Sequence, residues 1–175
     1  MMNNFGNTTA AKPMTAADQP QAMSNDDVIS RLNGLIETCR DGQEGFKQAA
    51  EGVDRDDLKT LFYEFSQERA SFVGELQDDV RGLGGDPENT GSITGAMHRG
   101  WINIKSAVTG KDEAAILNEC ERGEDVAKEQ YSSALEQPLP EVIRQVVQNQ
   151  YTKVLHAHDR VKALRDVANA KKAAS

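Results

Sequence analysis

From Asn25 onward the apolar residues recur every three or four positions, the period of an amphipathic helix. The first such segment carries Val28, Leu32, Leu35, Cys39, Gly42, Phe46, Ala49 and Val53 on one stripe and ends near Gly52, with Asn25 or Asp26 suited to cap its start. A second helix is predicted from Asp54, whose side chain can take the Asp57 amide, with Val53 and Leu58 flanking the cap as a hydrophobic staple. Its stripe is Leu58, Phe62, Phe65, Arg69, Phe72, Leu76, Val80 and Leu83, and Gly84-Gly85 supplies a left-handed stop. A third helix runs from about Asp112 to Glu136 with Leu117, Cys120, Glu124, Ala127, Tyr131 and Leu135 inward. Pro138 and Pro140 bracket the next turn, and Pro140 suits the first position of a fourth helix. That helix buries Ile143, Val146, Val147, Gln150, Val154, Ala157, Val161 and Leu164.

The connections order these helices. The first-to-second and third-to-fourth turns are short, which predicts two antiparallel hairpins. Between them lie 28 residues, Gly84 to Lys111, too many for a tight turn. Ile93, Met97, Trp101, Ile104 and Val108 recur there at helical spacing, so a short helix is expected inside a long crossover, with Trp101 as its anchor onto the bundle. One long crossover makes the order up, down, down, up, an all-α ferritin-like four-helix bundle, with the all-antiparallel bundle as the alternative. The bundle spans residues 25–168, with a disordered tail over 1–24 and a C-terminal tail over 169–175.

Charge and composition narrow the classes of function. The 175 residues carry a net charge of −8, which opposes a nucleic-acid backbone. The exception is the end from Lys162 to Ser175, whose four basic residues outnumber its one Asp. No apolar run approaches the roughly 18 residues a bilayer span needs, so no membrane partner is expected. The start lacks the basic and apolar regions of a signal peptide. Two cysteines without an export signal point to reduced thiols and a cytoplasmic protein.

The stretch NECERGEDVAKEQY, residues 118–131, sets Cys120, Glu121, Glu124 and Asp125 on one helix and raises a metal question. Ferritin-like di-iron proteins take one Glu from each of two helices and a Glu-x-x-His from each of the others. No Glu-x-x-His occurs here: Gly95, Lys153 and Leu155 stand three before His98, His156 and His158. His156 and His158 lie about 200° apart on their helix and cannot share an ion. The acidic faces read mostly as solvated, with pairs such as Arg40–Glu44 and Glu124–Lys128.

The stripe centres instead hold Cys39, Arg69, Cys120, Glu124 and Gln150, a polar layer near mid-height. Arg69 is expected to substitute for the missing cations and neutralise Glu124, the alternative being an Arg69 that snorkels to the surface. Cys39 and Cys120 are read as buried, inert thiols, or as a redox pair if their Cα atoms come within about 7 Å. Gly34, Gly45 and Gly52 share one line of the first helix. Glycine there costs about 1 kcal/mol each, so something packs close, either the crossover or a second copy in a homo-oligomer. The run HRGW, residues 98–101, suits either a small anion site at His98 and Arg99 or a Trp101 anchor with solvated neighbours.

The runs LNGLIETCRDGQEGF, FSQERASFVGELQ, GSITGAMHRGWINIKSAVTG, ILNECERGEDVAKEQY and HAHDRVKALRD together resemble an uncharacterised bacterial family of ferritin-like four-helix-bundle proteins, over about residues 25–168. The resemblance implies the ferritin-like fold and carries no catalytic residues. It suggests a stress-related role. The reading is a non-enzymatic structural or interaction protein without cofactor or assembled metal. Its rivals are a di-metal carboxylate oxidase or ferroxidase, binding iron or manganese through Glu68, Glu121, Glu124 and His158, and a thiol redox switch.

Overall fold

Ser24 begins the first helix. Its hydroxyl accepts the Asp27 amide at 3.1 Å and donates to the Asp27 carboxylate at 2.6 Å, so the capping residue stands one position before the expected Asn25 and two before Asp26. The computed structural model describes residues 21–87 and 100–175, and among these it is all-helical, with no strand. Its elements are α1 (Asn25–Gly52), α2 (Asp56–Gly82), α3 (Ile104–Thr109), α4 (Glu113–Leu135) and α5 (Glu141–Ala173). No described helix is long and apolar enough to cross a membrane.

The helix ends follow local chemistry, with three departures from the sequence expectation. At α2 the N-cap is Arg55, not Asp54, and no side chain caps the helix. Arg55 instead pairs with Asp57 at 2.6 Å and reaches Glu113 at 3.1 Å. Pro140 sits at the N-cap of α5 rather than one residue inside. Helix α5 also continues through Ala173, past residue 168 where the apolar stripe gives out, and Lys172 pairs with Asp112 at the start of α4. At the far end of α2, Gly84 takes φ +83°. Its amide donates to Arg81, and that of Gly85 donates to Val80, the two bonds of a Schellman stop.

The core falls into two clusters. One joins Val28 and Leu32 of α1, Leu76 and Val80 of α2, Tyr131 and Ala134 of α4, and Ile143 and Val147 of α5. The other joins Phe46 and Ala49 of α1, Leu58 and Phe62 of α2, Ile116 and Leu117 of α4, Ala157 and Val161 of α5, and Ile104 of α3. Helix α1 packs chiefly on α2, and α4 on α5. Gly42, Arg69 and Glu124 belong to neither apolar cluster and fall between the two stretches on α1, α2 and α4, so a polar level interrupts the apolar column.

The crossover helix is shorter than the sequence period suggested. Residues 100–103 form a turn and only Ile104–Thr109 is helical; the Ile93 and Met97 part of the expected helix lies outside the described residues, as do His98, Arg99 and most of the 1–24 tail. Trp101 nevertheless packs on the bundle, with its ring 5.1 Å from that of Phe46. It sits so close to Gly45 that an added Cβ there would fall 2.2 Å from the indole, and Val108 crowds Gly52 to 2.6 Å in the same way. The crossover, rather than a second chain, therefore fills two of the three positions on the Gly34, Gly45, Gly52 line. Gly34 alone lines an open surface cavity, beside Met23 and Arg31.

Candidate functional site

Position 69 is a stripe-centre position on α2, and a long cation there has nowhere to go but inward. Arg69 is 1% exposed, the largest fully buried side chain among the described residues. Its stem passes α1 at Gly42, where an added Cβ would lie 3.4 Å from it. The guanidinium stands 5.9 Å from the centre of the Phe46 ring and 5.2 Å from that of Phe72, so aromatic faces lodge the buried charge. Nη2 donates to Glu124 Oε2 at 2.7 Å and Nη1 to Glu68 Oε1 at 3.1 Å. Arg69 does not snorkel, and Glu124 pairs with it rather than with Lys128.

Glu124 is also 1% exposed. Burial pushes its carboxyl above the ordinary carboxylate range, against the pull of Arg69. Arg69 itself holds its proton more tightly than usual: burial opposes the charge most strongly, but Glu124, Cys39, Tyr131 and Glu68 together outweigh it. Arg69 Nε and Glu124 Oε1 have no hydrogen-bond partner. One cation thus bridges two carboxylates from two helices, with a spare acceptor left over.

A second polar chain runs beside the first. The Tyr131 hydroxyl donates to Gln150 Oε1 at 2.7 Å, and Gln150 Nε2 donates to Glu75 Oε2 at 2.7 Å. With the phenol proton committed to Gln150, the Cys39 thiol at 3.1 Å donates to the Tyr131 oxygen. The chain ends at Glu75, on the wall of a groove of about 540 Å³ between α2 and α5. Burial pushes the Cys39 thiol up to about 11. Burial also pushes the Cys120 thiol well above its ordinary range. Both are free thiols; Cys39 lies in one core cluster and Cys120 in the other.

The four residues that a di-metal centre would draw on are divided among other partners. Glu68 and Glu124 are both held by Arg69. Glu121 pairs with Arg165. His158 lies between Asp125, 2.9 Å from Nε2, and Asp159, 3.1 Å from Nδ1. A guanidinium occupies the point between the two central carboxylates, so these residues do not fit a two-metal centre. The expected Arg40–Glu44 pair is also replaced: Arg40 meets Glu37 at 3.1 Å and Glu44 accepts from Gln48.

Sequence reasoning placed Arg69, Glu124, Cys39, Cys120 and Gln150 near one level, and all five side chains are buried. It missed the polar role of Tyr131, which an apolar stripe counts as one more aromatic. A Gln on the facing stripe was the available signal, since a buried amide needs partners. It also missed Arg165, read as part of a basic end.

Residues 27–137 match the family described as a domain of unknown function, DUF2383. The match takes in α1 to α4, and with them Arg69 and Glu124, and stops before α5. No curated protein matches the chain.

Proposed function

The chain belongs to the DUF2383 family, and for it we propose a ferritin-like four-helix bundle, ordered up, down, down, up, that acts as a non-enzymatic structural or interaction protein. The observation that carries this reading is the Arg69 guanidinium between Glu68 and Glu124. A single fixed side chain supplies the positive charge that metal ions supply in di-iron bundles, and supplies it without open coordination positions or redox chemistry. Two features support the helix order. Arg55 and Glu113 pair across the starts of α2 and α4, which suits parallel neighbours. Each core cluster joins one end of α1 and α5 to the opposite ends of α2 and α4. The raised Cys39 thiol supports the non-catalytic part, because a neutral buried thiol is a poor nucleophile.

The test is a double-mutant cycle on Arg69 and Glu124, read by urea unfolding in the presence of chelator. Arg69→Met alone leaves a buried, unpaired carboxylate and is expected to cost about 3 to 5 kcal/mol. Arg69→Met with Glu124→Leu is expected to regain most of that loss, because packed apolar groups avoid the desolvation of two charges. Single variants that lose less than about 1 kcal/mol, or a double variant no better than the singles, would refute the reading.

A further inference from the structure

We infer that Glu121, Asp125 and His158 form a binding site for one divalent transition-metal ion at the seam of α4 and α5. Glu121 and Asp125 are four residues apart on α4, so their carboxylates share one side of the helix. His158 comes across from α5, and its Nε2 lies 2.9 Å from Asp125 Oδ1. One ligand atom from each of the three residues falls within 4.8 Å of the other two. Metal bonds of about 2.0 to 2.2 Å to imidazole and carboxylate set ligand atoms roughly 3 to 3.5 Å apart, so only a small closing movement separates this cluster from a coordination shell.

The imidazole is prepared for that task. It is 5% exposed, fixed by the core. Its other nitrogen, Nδ1, lies 3.1 Å from Asp159 Oδ1. A metal-binding histidine characteristically gives its second N–H to a carboxylate, which sets the tautomer and turns the free lone pair toward the ion. An ion that takes the Nε2 lone pair would leave Nδ1–H for Asp159, with Asp125 and Glu121 beside it as the other ligands. A second observation is independent of the triad. Glu124, next to Asp125 in the chain and almost fully buried, keeps Oε1 without a hydrogen-bond partner. A spare carboxylate acceptor therefore stands on the residue next to Asp125.

Arg165 holds the place of the ion when none is bound. It pairs with Glu121 and, through Nη2 and Nε, with Asp166 at 2.6 Å and 3.0 Å. It is partly exposed, so it can release Glu121 to an incoming cation and remain on Asp166. One imidazole and two carboxylates suit Zn(II), Mn(II) or Fe(II), with water completing the shell. The ion would clamp α4 to α5 and leave the Arg69–Glu124 pair in place, so the site stands or falls separately from the function proposed above.

The experiment is calorimetric titration of the full-length, chelator-stripped protein with Zn(II), paired with the visible absorption of Co(II) as a probe of nitrogen and oxygen ligation. Wild type is expected to bind one equivalent with a Co(II) spectrum. His158→Gln and Asp125→Asn, the second at an exposed position that leaves the fold intact, are each expected to weaken binding at least tenfold. Asp159→Asn should weaken it about 10-fold through the imidazole. Arg165→Gln should tighten it, because a competing cation is gone. The Arg69→Met, Glu124→Leu protein should still bind if it folds, as circular dichroism will show. Absence of saturable one-to-one binding in wild type, or binding unchanged in both His158→Gln and Asp125→Asn, would overturn the site and assign any bound ion to the acidic surface.

Discussion

Gly123 of α4 gives its side-chain volume to Trp101: a Cβ there would fall 2.1 Å from the indole. Gly45 does the same from α1, so the ring is lodged between two helices at positions where each lacks a side chain. Both helices give up about 1 kcal/mol of propensity per glycine, and the packing of the partly buried indole offsets it.

Gly123→Ala is therefore expected to push the indole out and cost about 1 to 3 kcal/mol, the range for overfilling a packed site. Trp101→Ala is expected to cost about 3 to 5 kcal/mol. In the double variant the alanine at 123 meets no ring, so the combined loss should fall well short of the sum. Urea unfolding measures the cycle. Trp101 is the lone tryptophan, so a red shift of its emission in Gly123→Ala checks the displacement directly. Strict additivity, or unshifted emission, would show that the ring does not depend on the notch.

The Tyr131 hydroxyl is the only link between Cys39 and Gln150 in the chain described above. Tyr131→Phe keeps the ring and leaves Gln150 Oε1 without its donor in a buried setting. The expected loss is about 1 to 3 kcal/mol, the cost of one stranded buried polar group. Replacing Gln150 with Leu in the same protein should recover part of it. A loss below about 0.5 kcal/mol would mean that water satisfies the amide.

The apolar period was enough to find the helices because each one buries a single stripe, and the residues named for those stripes are mostly the residues buried. The same wheel put Arg69 and Glu124 at stripe centres, and a buried charge at a stripe centre has few partners to choose from. The cluster of Glu121, Asp125 and His158 was less legible. Asp125 is exposed and reads as solvated, and only the pairing of α4 with α5 brings His158 to it. Caps were missed by one residue for a related reason. Ser24, Asn25 and Asp26 are all competent caps, and the choice depends on where the core first grips the helix. The glycine line on α1 signalled a close approach but not its source. A helix surface marks where volume is missing, and what fills it is set by the crossover.

Asp112 caps α4 by accepting the Ala115 amide at 3.2 Å, and Lys172 from the end of α5 lies on the same carboxylate. The Lys172 contact, with the amide bond, holds the Asp112 carboxyl below its ordinary range. A group depressed in the folded state adds stability above its unfolded pKa and loses it as pH falls through the folded value. Asp112→Ala is expected to cost about 1 kcal/mol at neutral pH, as other lost caps do. The gap between wild type and variant should close as the pH drops below about 4. Thermal melts from pH 7 to pH 2.5 test this. A gap that persists at the acid end would mean that the carboxylate charge is irrelevant to the cap.

Cys39 makes the opposite prediction on the alkaline side. Its thiol is raised from 9.0 to about 11 in the fold, chiefly by burial. A raised group adds stability that is complete below its unfolded pKa and disappears as pH climbs toward the folded one, because the unfolded chain loses its proton first. Between pH 9 and pH 11 wild type should therefore lose up to about 3 kcal/mol through this one group. Cys39→Ala lacks the group and is destabilised at neutral pH by its missing sulfur. The difference between the two proteins should then shrink as the pH rises from 8 to 10. Cys120, also raised by burial, lies in the other core cluster and cancels in that difference, and Tyr131, which touches Cys39, titrates in the unfolded chain only near pH 10, at the edge of that window. Native Cys39 should also resist iodoacetamide at pH 8 and react only after unfolding. A stability difference that stays flat to pH 10, together with rapid native alkylation, would mean that Cys39 is reached by water and that its contact with Tyr131 does not hold it closed.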